Sequence, residues 1–294
     1  MFGFRESFDY FQCGKCKCLQ INNVPINIEK YYPKNYYSFS VKENLKDRLV
    51  SPLEKQRTRY ILFNHGIFGR CLYRLLPNFP NFPEFSKLEI TKDTKILDVG
   101  CGSGLFLHKL KTAGIKNVLG VDKFINSTIT YENGLKIIKG TLEDVSGQWD
   151  IVLFRHSFEH LYEQTETLEK VRLLLSEDGF CIIVVPTVSS YAWTKYGVDW
   201  VQIDAPRHFF LHSIQSMQIL ADNSGFEVKD ILYSSNDFQF VGSELYKRNI
   251  PLIGEETIYS YFSREELSKF SIMAKALDSK NQGDTVTFYL KKKL

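Results

Sequence analysis

The chain has 294 residues, of which 44% are hydrophobic and 24% charged, so it can bury a full α/β core with an appended region. Its net charge of +3 is too balanced to indicate a nucleic-acid partner. The sequence has no apolar run near the roughly 18–20 residues that cross a bilayer, and no secretory signal pattern. Six cysteines without a disulfide pattern favour a reducing, cytoplasmic location.

The N-terminal cysteines form one metal-type pair. Cys13 and Cys16 have the Cys-x-x-Cys spacing of a zinc knuckle, and Cys18 adds a third thiol. A structural zinc site needs four ligands, usually from two such pairs, and no second pair or nearby histidine follows. The sequence therefore predicts a half-site without a bound metal, unless a partner chain completes it.

An irregular stretch and then a helical one follow the cysteines. Residues 31–37 are rich in tyrosine, and residues 53–76 place apolar side chains at helical spacing. This pattern predicts one long helix or two short ones. Three prolines then end the helical pattern and make a linker into the next region: Pro77, Pro80 and Pro83.

A glycine-rich turn is the most informative feature of the chain. An apolar run ends in Asp98-Val-Gly-Cys-Gly-Ser-Gly104, and an amphipathic run follows. This order predicts a buried strand, a tight turn that a ligand can approach closely, and a helix N-terminus with free N–H groups. The carboxylate of Asp98 suits a ligand with an ammonium and a sulfonium group. A nicotinamide-binding turn needs Gly-x-Gly-x-x-Gly, whereas here the third glycine comes one residue early and Leu105 follows.

An acid at the end of a second apolar strand supports a nucleoside-type ligand. Asp122 closes the strand at residues 117–122, at the distance from the glycines where a cofactor ribose presents two hydroxyls. The alternative is a surface acid that merely ends a strand. A third strand at residues 136–140 precedes Thr141 and Leu142, where an adenine needs an apolar contact and a hydrogen-bond partner.

Four more strands are predicted at residues 148–154, 180–185, 225–233 and 285–290, with a helix at 165–175 and a turn at 176–179. Strands that alternate with helices predict an α/β fold with a doubly wound, mostly parallel, seven-stranded Rossmann-like sheet. Ligands bind such sheets beyond the carboxyl ends of the strands. The residues that fall at such ends are Asp98, Asp122, Leu142 and His156.

We expect two regions along the chain. Residues 1–90 would hold the cysteine knuckle, the tyrosine-rich segment and a helical cap, and residues 91–294 would form the α/β domain. Within that domain, residues 189–211 would form a lid, and residues 240–283 a helical insert with a Ser-x-x-Glu capping box.

From about Thr91 to Tyr233 the chain resembles a class I S-adenosylmethionine-dependent methyltransferase. The resemblance rests on the glycine motif, on Asp122 and on His156-Ser-Phe-Glu-His160 after the fourth strand. It implies S-adenosylmethionine as the cofactor. The residues that it implies for cofactor binding are Asp98, Gly100, Cys101, Gly102, Asp122, Lys123, Thr141, Leu142 and His156.

A narrower resemblance covers nearly the whole chain. The cysteine knuckle, the tyrosine-rich segment and Asp204-Ala-Pro-Arg-His208 occur together in bacterial proteins similar to sugar C-methyltransferases. That family usually carries a complete zinc-binding N-terminal region, of which only the second half is expected in this sequence. The resemblance implies a small-molecule acceptor such as a sugar or nucleotide-sugar of surface-polysaccharide biosynthesis, with Arg207 as a phosphate contact.

Three histidines are candidates for the general base that a hydroxyl or activated carbon acceptor needs: His156, which is expected rather to line the cofactor, His160 and His208. The alternative for each is a residue that packs or anchors a loop. His160 follows the fourth strand, and His208 lies in the expected lid. Glu159 precedes His160 but points to a different side, so the two are not expected to act as a dyad.

Two acceptor classes are disfavoured. Methylation of base exocyclic amines uses Asn- or Asp-Pro-Pro-Tyr after the fourth strand, where this chain has Phe154-Arg-His-Ser157. Cytosine C5 chemistry needs a Pro-Cys dipeptide, which does not occur. Two further functions stay open: a protein that binds the cofactor without catalysis, and a nicotinamide oxidoreductase, which Leu105 disfavours. The oligomeric state is not predicted.

Overall fold

The computed structural model describes residues 6–32, 52–76, 81–253 and 256–293. The tyrosine-rich segment beyond Tyr32, and Pro77 and Pro80 of the expected linker, lie outside the described residues. The chain forms two compact units, each built from separate stretches. The first unit comprises Met1–Tyr32, Phe158–Thr165 and Val184–Phe288, and the second comprises Pro33–Ser157, Glu166–Ile183 and Tyr289–Leu294. The expected division at residue 90 stays a prediction.

The strands of the described residues are, in chain order, β1 (Tyr10–Gln12), β2 (Leu19–Ile21), β3 (Lys95–Val99), β4 (Asn117–Asp122), β5 (Ile129–Thr130), β6 (Lys136–Lys139), β7 (Trp149–Arg155), β8 (Leu175–Pro186), β9 (Phe210–Leu211), β10 (Phe226–Tyr233) and β11 (Thr285–Lys292). The α-helices are α1 (Pro52–Phe63), α2 (Ile67–Leu75), α3 (Leu105–Ala113), α4 (Gln164–Leu174), α5 (Tyr191–Tyr196), α6 (Ile214–Asn223), α7 (Phe238–Lys247) and α8 (Arg264–Asp278). Short 3-10 helices connect several of them.

Eight strands form one sheet in the order β10-β11-β8-β7-β3-β4-β6-β5. β3 pairs in parallel with both β4 and β7, and β4 pairs in parallel with β6. All seven predicted strands lie in this sheet, so the predicted doubly wound α/β fold is confirmed. The eighth strand, β5, pairs antiparallel with β6. It is only two residues long, which is too short for a sequence pattern to reveal.

The strand order reverses at β3, which has β4 on one side and β7 on the other. Such a reversal opens a crevice at the carboxyl ends of the strands, where ligands bind in folds of this kind. Ile96 and Leu97 of β3 are completely buried, as expected for a central parallel strand covered on both faces. The glycine-rich turn follows β3 directly and therefore begins at the reversal.

The apolar stretch at residues 53–76 folds as two helices, which is one of the two predicted outcomes. Asn64 and Gly66 lie between α1 and α2 with φ angles of 49° and 103°. An α-helix cannot continue through such left-handed backbone, so the helical pattern divides there.

The turn predicted at residues 176–179 is wrong. β8 begins at Leu175, directly after α4, so these residues are extended. The Ser176 hydroxyl donates to Asp150 Oδ1 at 3.2 Å, and a Cβ on Gly179 would lie 3.0 Å from the Trp149 carbonyl oxygen. Asp150 and Trp149 start β7, so contact with that strand overrides the turn-like local sequence.

The first unit also contains a three-stranded sheet in the order β1-β2-β9. β1 and β2 pair antiparallel on either side of the cysteine knuckle, where the Cys13 N–H donates to the Cys18 carbonyl at 2.9 Å. The N-terminal region is therefore not simply irregular and helical, as predicted. Strands of two or three residues carry no readable alternation, which is why the pattern missed them.

The expected lid and insert contribute to the core of the first unit. Trp200 is completely buried in a hydrophobic cluster with Phe240, and its Nε1 donates to Asp284 at 3.2 Å. Trp200 is thus a packing residue. The capping box of Ser263 and Glu266 at the start of α8 is confirmed. The lid at residues 189–211 stays a prediction.

Among the described residues, no helix combines the length and the apolar character needed to cross a bilayer.

The cysteine knuckle has the local geometry of half a metal site. Backbone N–H groups of Cys16 and Lys15 lower the pKa of the Cys13 thiol. We expect that replacing Cys13 and Cys16 with serine leaves the zinc content of the purified protein unchanged, because one pair supplies only two of four ligands. Elemental analysis checks this, and loss of one zinc per chain in the double variant would contradict it.

Candidate functional site

The glycine-rich turn after β3 is shaped by close contacts that exclude side chains. Gly100, Gly102 and Gly104 have φ angles of 74°, 56° and 77°, in the left-handed region that favours glycine. A Cβ on Gly100 would lie 2.5 Å from the Ser157 Cβ, and one on Gly104 would lie 2.3 Å from Ile137 Cδ1. The turn therefore packs against the residues after β7 and against β6, directly before α3.

Asp122 at the end of β4 holds this turn. Its Oδ2 accepts from the Gly102 N–H, and its Oδ1 accepts from the Phe124 N–H, both at 2.8 Å. A carboxylate has about four lone-pair positions, so each oxygen can accept a second hydrogen bond. The geometry therefore suits the predicted acceptance of two ribose hydroxyls, in addition to a structural role that the sequence did not reveal.

Asp98 presents a buried carboxylate beside the turn. It is 2% exposed, and its Oδ1 has no hydrogen-bond partner among the described residues. Burial raises the pKa of Asp98 to about 8; the Arg155 guanidinium opposes this shift, and the acids Glu84 and Asp122 add to it. An acceptor oxygen of this kind fits the ammonium group of S-adenosylmethionine, so the residues present suit the predicted cofactor.

Cys101 and Lys123 are also predicted to bind the cofactor. The Cys101 thiol packs against Gly120 of β4, so closely that a Cβ on Gly120 would lie 2.4 Å from Cys101 Sγ. Burial raises the pKa of the Cys101 thiol well above its usual value, so Cys101 offers a ligand its backbone rather than a thiolate. Lys123 is exposed, with its Nζ 4.7 Å from the centre of the Phe124 ring.

The other predicted cofactor residues lie after β6 and β7. The Thr141 Oγ1 accepts from the Glu143 N–H at 3.3 Å in a capping box of the 3-10 helix Leu142–Asp144. Leu142 itself is buried. His156 is exposed after β7, with a left-handed φ of 53°.

A second group of candidate residues lies in the first unit. The side chains of Glu159, His160 and His208 each place one coordinating atom within 4.8 Å of the others. We call these three residues the histidine cluster. The His208 Nε2 is 3.8 Å from Glu159 Oε1 and 3.7 Å from Asp204 Oδ2. Glu159 is thus next to His208, which the sequence did not indicate.

Hydrogen bonds fix the tautomers of both imidazoles. His160 Nδ1 lies 2.8 Å from the Arg207 carbonyl oxygen, and His208 Nδ1 lies 2.7 Å from the Gln202 carbonyl oxygen. Because a carbonyl only accepts, each Nδ1 carries the hydrogen, and in the neutral ring each Nε2 keeps a lone pair. Burial, helped by His208, lowers the pKa of His160 to about 3, so that ring is neutral near pH 7.

Arg207 is buried and pairs with Asp204, with its guanidinium 5.7 Å from the centre of the Tyr32 ring. The expected contact of Arg207 with a phosphate therefore competes with an existing ion pair.

Sequence reasoning missed Ser157 and Asp204 as parts of these sites. The Ser157 hydroxyl donates to the Val99 carbonyl at 2.6 Å and so ties the residues after β7 to the end of β3. Its place directly after a strand end was the available signal. The closeness of Asp204 to His208 follows from their spacing of four residues, which was also visible.

The reversed parallel sheet, the Gly-x-Gly-x-Gly turn and the acid that ends the next strand define an α/β protein that binds a nucleoside-containing cofactor. The chain belongs to the methyltransferase domain family, whose model matches residues 63–231, more than half of its length. Members of this family are enzymes that transfer methyl groups, and the cofactor is S-adenosylmethionine.

Named relatives act on different acceptors. The chain is 26% identical over 186 residues to ubiquinone biosynthesis O-methyltransferase of Rickettsia bellii (strain OSU 85-389), covering 56% of this chain and 76% of the relative. It is 28% identical over 126 residues to EEF1A lysine methyltransferase 2 of Danio rerio, covering 36% and 52%. The structure of mycolic acid cyclopropane synthase CmaA1 complexed with SAH and CTAB is similar at a TM-score of 0.46 and 18% identity, covering 71% and 81%.

Replacing Asp122 with alanine should weaken S-adenosylmethionine binding by about 1–3 kcal/mol, because the ribose hydroxyls lose their acceptor. Calorimetry measures the affinity, and circular dichroism checks that the turn still folds. The exposed Asp93→Ala serves as the matched control. Unchanged affinity in a folded Asp122→Ala protein would remove this residue from the site.

The affinity for S-adenosylmethionine should rise as the pH increases from 6 towards 8. The pKa of Asp98 is about 8 in the free protein, so below that pH the carboxyl must lose its proton before it can pair with the cofactor ammonium. Asp98→Asn should remove most of this dependence. A wild-type affinity that is flat over this range, or an equal slope in Asp98→Asn, would contradict the assignment.

Proposed function

We propose that the chain transfers the methyl group of S-adenosylmethionine to a hydroxyl group of a small-molecule acceptor. The observation that carries this proposal is the turn from Gly100 to Gly104 with Asp122 hydrogen-bonded to it and the unsatisfied Asp98 oxygen beside it. Both acids lie at the carboxyl ends of adjacent strands, which supports binding of the cofactor on which methyl transfer depends.

The chemistry is an in-line displacement. S-adenosylmethionine, held by the turn from Gly100 to Gly104 with Asp98 and Asp122, would supply an electrophilic methyl carbon bonded to a sulfonium leaving group. The acceptor oxygen would bond to that carbon as the carbon–sulfur bond breaks with its electron pair going to sulfur, and the hydroxyl proton would pass to a base. Because little covalent work falls to the protein, holding the acceptor in line supplies most of the rate enhancement.

His160 and His208 are the groups that we propose for the acceptor side. Each keeps an Nε2 lone pair that can accept the hydroxyl proton, since each Nδ1–H donates to a carbonyl. His208 has the better surroundings for this role, because Glu159 and Asp204 oxygens within 3.8 Å of its Nε2 would stabilise the imidazolium that forms.

The acceptor class is inferred from similarity. The resemblance to sugar C-methyltransferase-like proteins makes a sugar or nucleotide-sugar the first class to test. The ubiquinone biosynthesis O-methyltransferase relatives support transfer to oxygen, and a phenol is the second class on that ground. A cytoplasmic location and a lid at residues 189–211 remain part of the proposal.

The direct experiment supplies methyl-labelled S-adenosylmethionine together with an extract of the native cells. We expect S-adenosylhomocysteine to form and the label to enter the small-molecule fraction. Label in protein or nucleic acid would contradict the acceptor class. Stoichiometric cofactor binding without any transfer would instead identify a protein that binds the cofactor as a scaffold.

His160→Gln and His208→Gln should leave S-adenosylmethionine affinity nearly unchanged, because neither residue belongs to the proposed cofactor site. At least one of them should lower turnover by roughly 100-fold or more, the usual scale for loss of a general base. The exposed His65→Gln is the matched control. If both variants turn over normally with the true acceptor, neither histidine activates it.

A further inference from the structure

The helix α2 has one face packed against α1 and another face exposed. Gly69 and Leu72 are its buried residues, and a Cβ on Gly69 would lie 2.6 Å from both the Gln56 carbonyl oxygen and the Tyr60 Cβ. Gln56 and Tyr60 belong to α1, so this contact fixes the side of α2 that faces the protein. The side chains on the other face of α2 point away from α1.

Large apolar side chains cover this exposed face. Ile67, Phe68 and Leu75 are 86%, 59% and 75% exposed, and Cys71 is exposed among them. An α-helix turns by about 100° per residue, so these four side chains form one stripe about 100° wide, which we call the α2 stripe. Single exposed apolar residues are common on folded proteins, whereas a contiguous stripe of them indicates a partner.

Positive charge borders the α2 stripe. Arg70 and Arg74 are exposed, and the helical geometry places both within about 60° of Ile67, at one edge of the stripe. Together α1 and α2 hold five Lys or Arg residues and one acid, Glu54, whose carboxylate lies 2.9 Å from the Lys109 ammonium. The exposed face of α2 is therefore both apolar and basic, which is complementary to a surface with apolar depth and negative charge.

We propose that α2 docks on the surface of a lipid bilayer that contains anionic lipids, with the α2 stripe at the acyl-chain boundary and Arg70 and Arg74 at the phosphates. A helix that lies in this interface gains affinity from its buried apolar area and from attraction to anionic headgroups. The nine residues of α2 are about 14 Å long, roughly half of the hydrocarbon thickness, so α2 would lie on the bilayer and not across it.

A second copy of the chain fits this face less well. Stable protein interfaces bury about 800 Å² on each partner, whereas the exposed face of α2 is only about 14 Å long and about 10 Å wide. A symmetric contact between two α2 helices would also bring Arg70 and Arg74 of both copies to the same patch, where like charges repel. An anionic bilayer instead attracts both arginines.

Docking of α2 depends on contacts with lipid and not on methyl transfer, so it is tested separately from the proposed function. For the enzyme, docking would bring the chain to acceptors that are themselves held in a membrane by a lipid tail.

Sedimentation of the full chain with vesicles measures the docking. The chain should bind vesicles of phosphatidylcholine with phosphatidylglycerol, and bind pure phosphatidylcholine vesicles about 10-fold more weakly or less. Each arginine near an anionic surface contributes about fivefold in affinity, so Arg70→Gln/Arg74→Gln should weaken binding about 25-fold. Phe68→Ser/Leu75→Ser should weaken it about 10-fold or more, because apolar burial is lost. Salt at about 0.5 M should weaken binding of the unmodified chain by screening.

Arg172→Gln and Leu173→Ser are the matched controls, because both residues are exposed on α4 and Leu173 is 74% exposed, as Leu75 is on α2. Both controls should bind vesicles as the unmodified chain does, and thermal unfolding verifies that each variant is folded. Absence of binding to the anionic vesicles, or equal binding by the folded α2 variants, would overturn the proposal. A lipid-free dimer that Phe68→Ser/Leu75→Ser converts to a monomer would also overturn it, because the face would then belong to a second copy.

Discussion

The hydrogen bond from the Gly102 N–H to the Asp122 carboxylate connects the two parts of the proposed cofactor site. It joins the turn after β3 to the end of β4, and the Gly100 N–H adds a second bond to the Val121 carbonyl at 2.8 Å. Because Asp122 also accepts from the Phe124 N–H, its side chain is fixed before any ligand arrives. One carboxylate therefore sets both the shape of the turn and the position of the proposed ribose contact, which reduces the ordering cost of binding.

The parts of the fold that sequence could predict are those in which local pattern and tertiary environment agree. β3 and β4 are apolar runs with an acid at or next to their last residue, and the spacing of the glycines after β3 favours a methyltransferase turn over a nicotinamide-binding one. The short strands could not be predicted, because β1, β2, β5 and β9 contain only two or three residues each. The extended conformation of residues 176–179 was missed for another reason: contact with β7 outweighs their turn-like composition.

The candidate site shows the same division. Asp98, Asp122 and the glycines could be proposed from the sequence because chain order alone places them at neighbouring strand ends. The histidine cluster joins residues that are 49 positions apart, Glu159 and His208, and only the folded first unit reveals that contact. Thr141 has a role that the sequence did not indicate, since its hydroxyl caps a 3-10 helix; its contact with an adenine stays a prediction.

Asp98 in the second unit is a buried carboxyl group, and its Oδ1 has no hydrogen-bond partner among the described residues. Burying a charge is costly unless a partner compensates it, so such a residue marks a place where a ligand can contribute to the structure. The ammonium group of S-adenosylmethionine is the partner that we propose for it.

The most direct test of the cofactor site is a crystal structure of the protein with S-adenosylhomocysteine. The account predicts ribose hydroxyls within hydrogen-bond distance of the Asp122 carboxylate, the amino group beside Asp98, and the Gly102–Asp122 hydrogen bond retained. A ligand whose ribose lies away from Asp122, or a turn that rearranges to release Asp122 from Gly102, would contradict it.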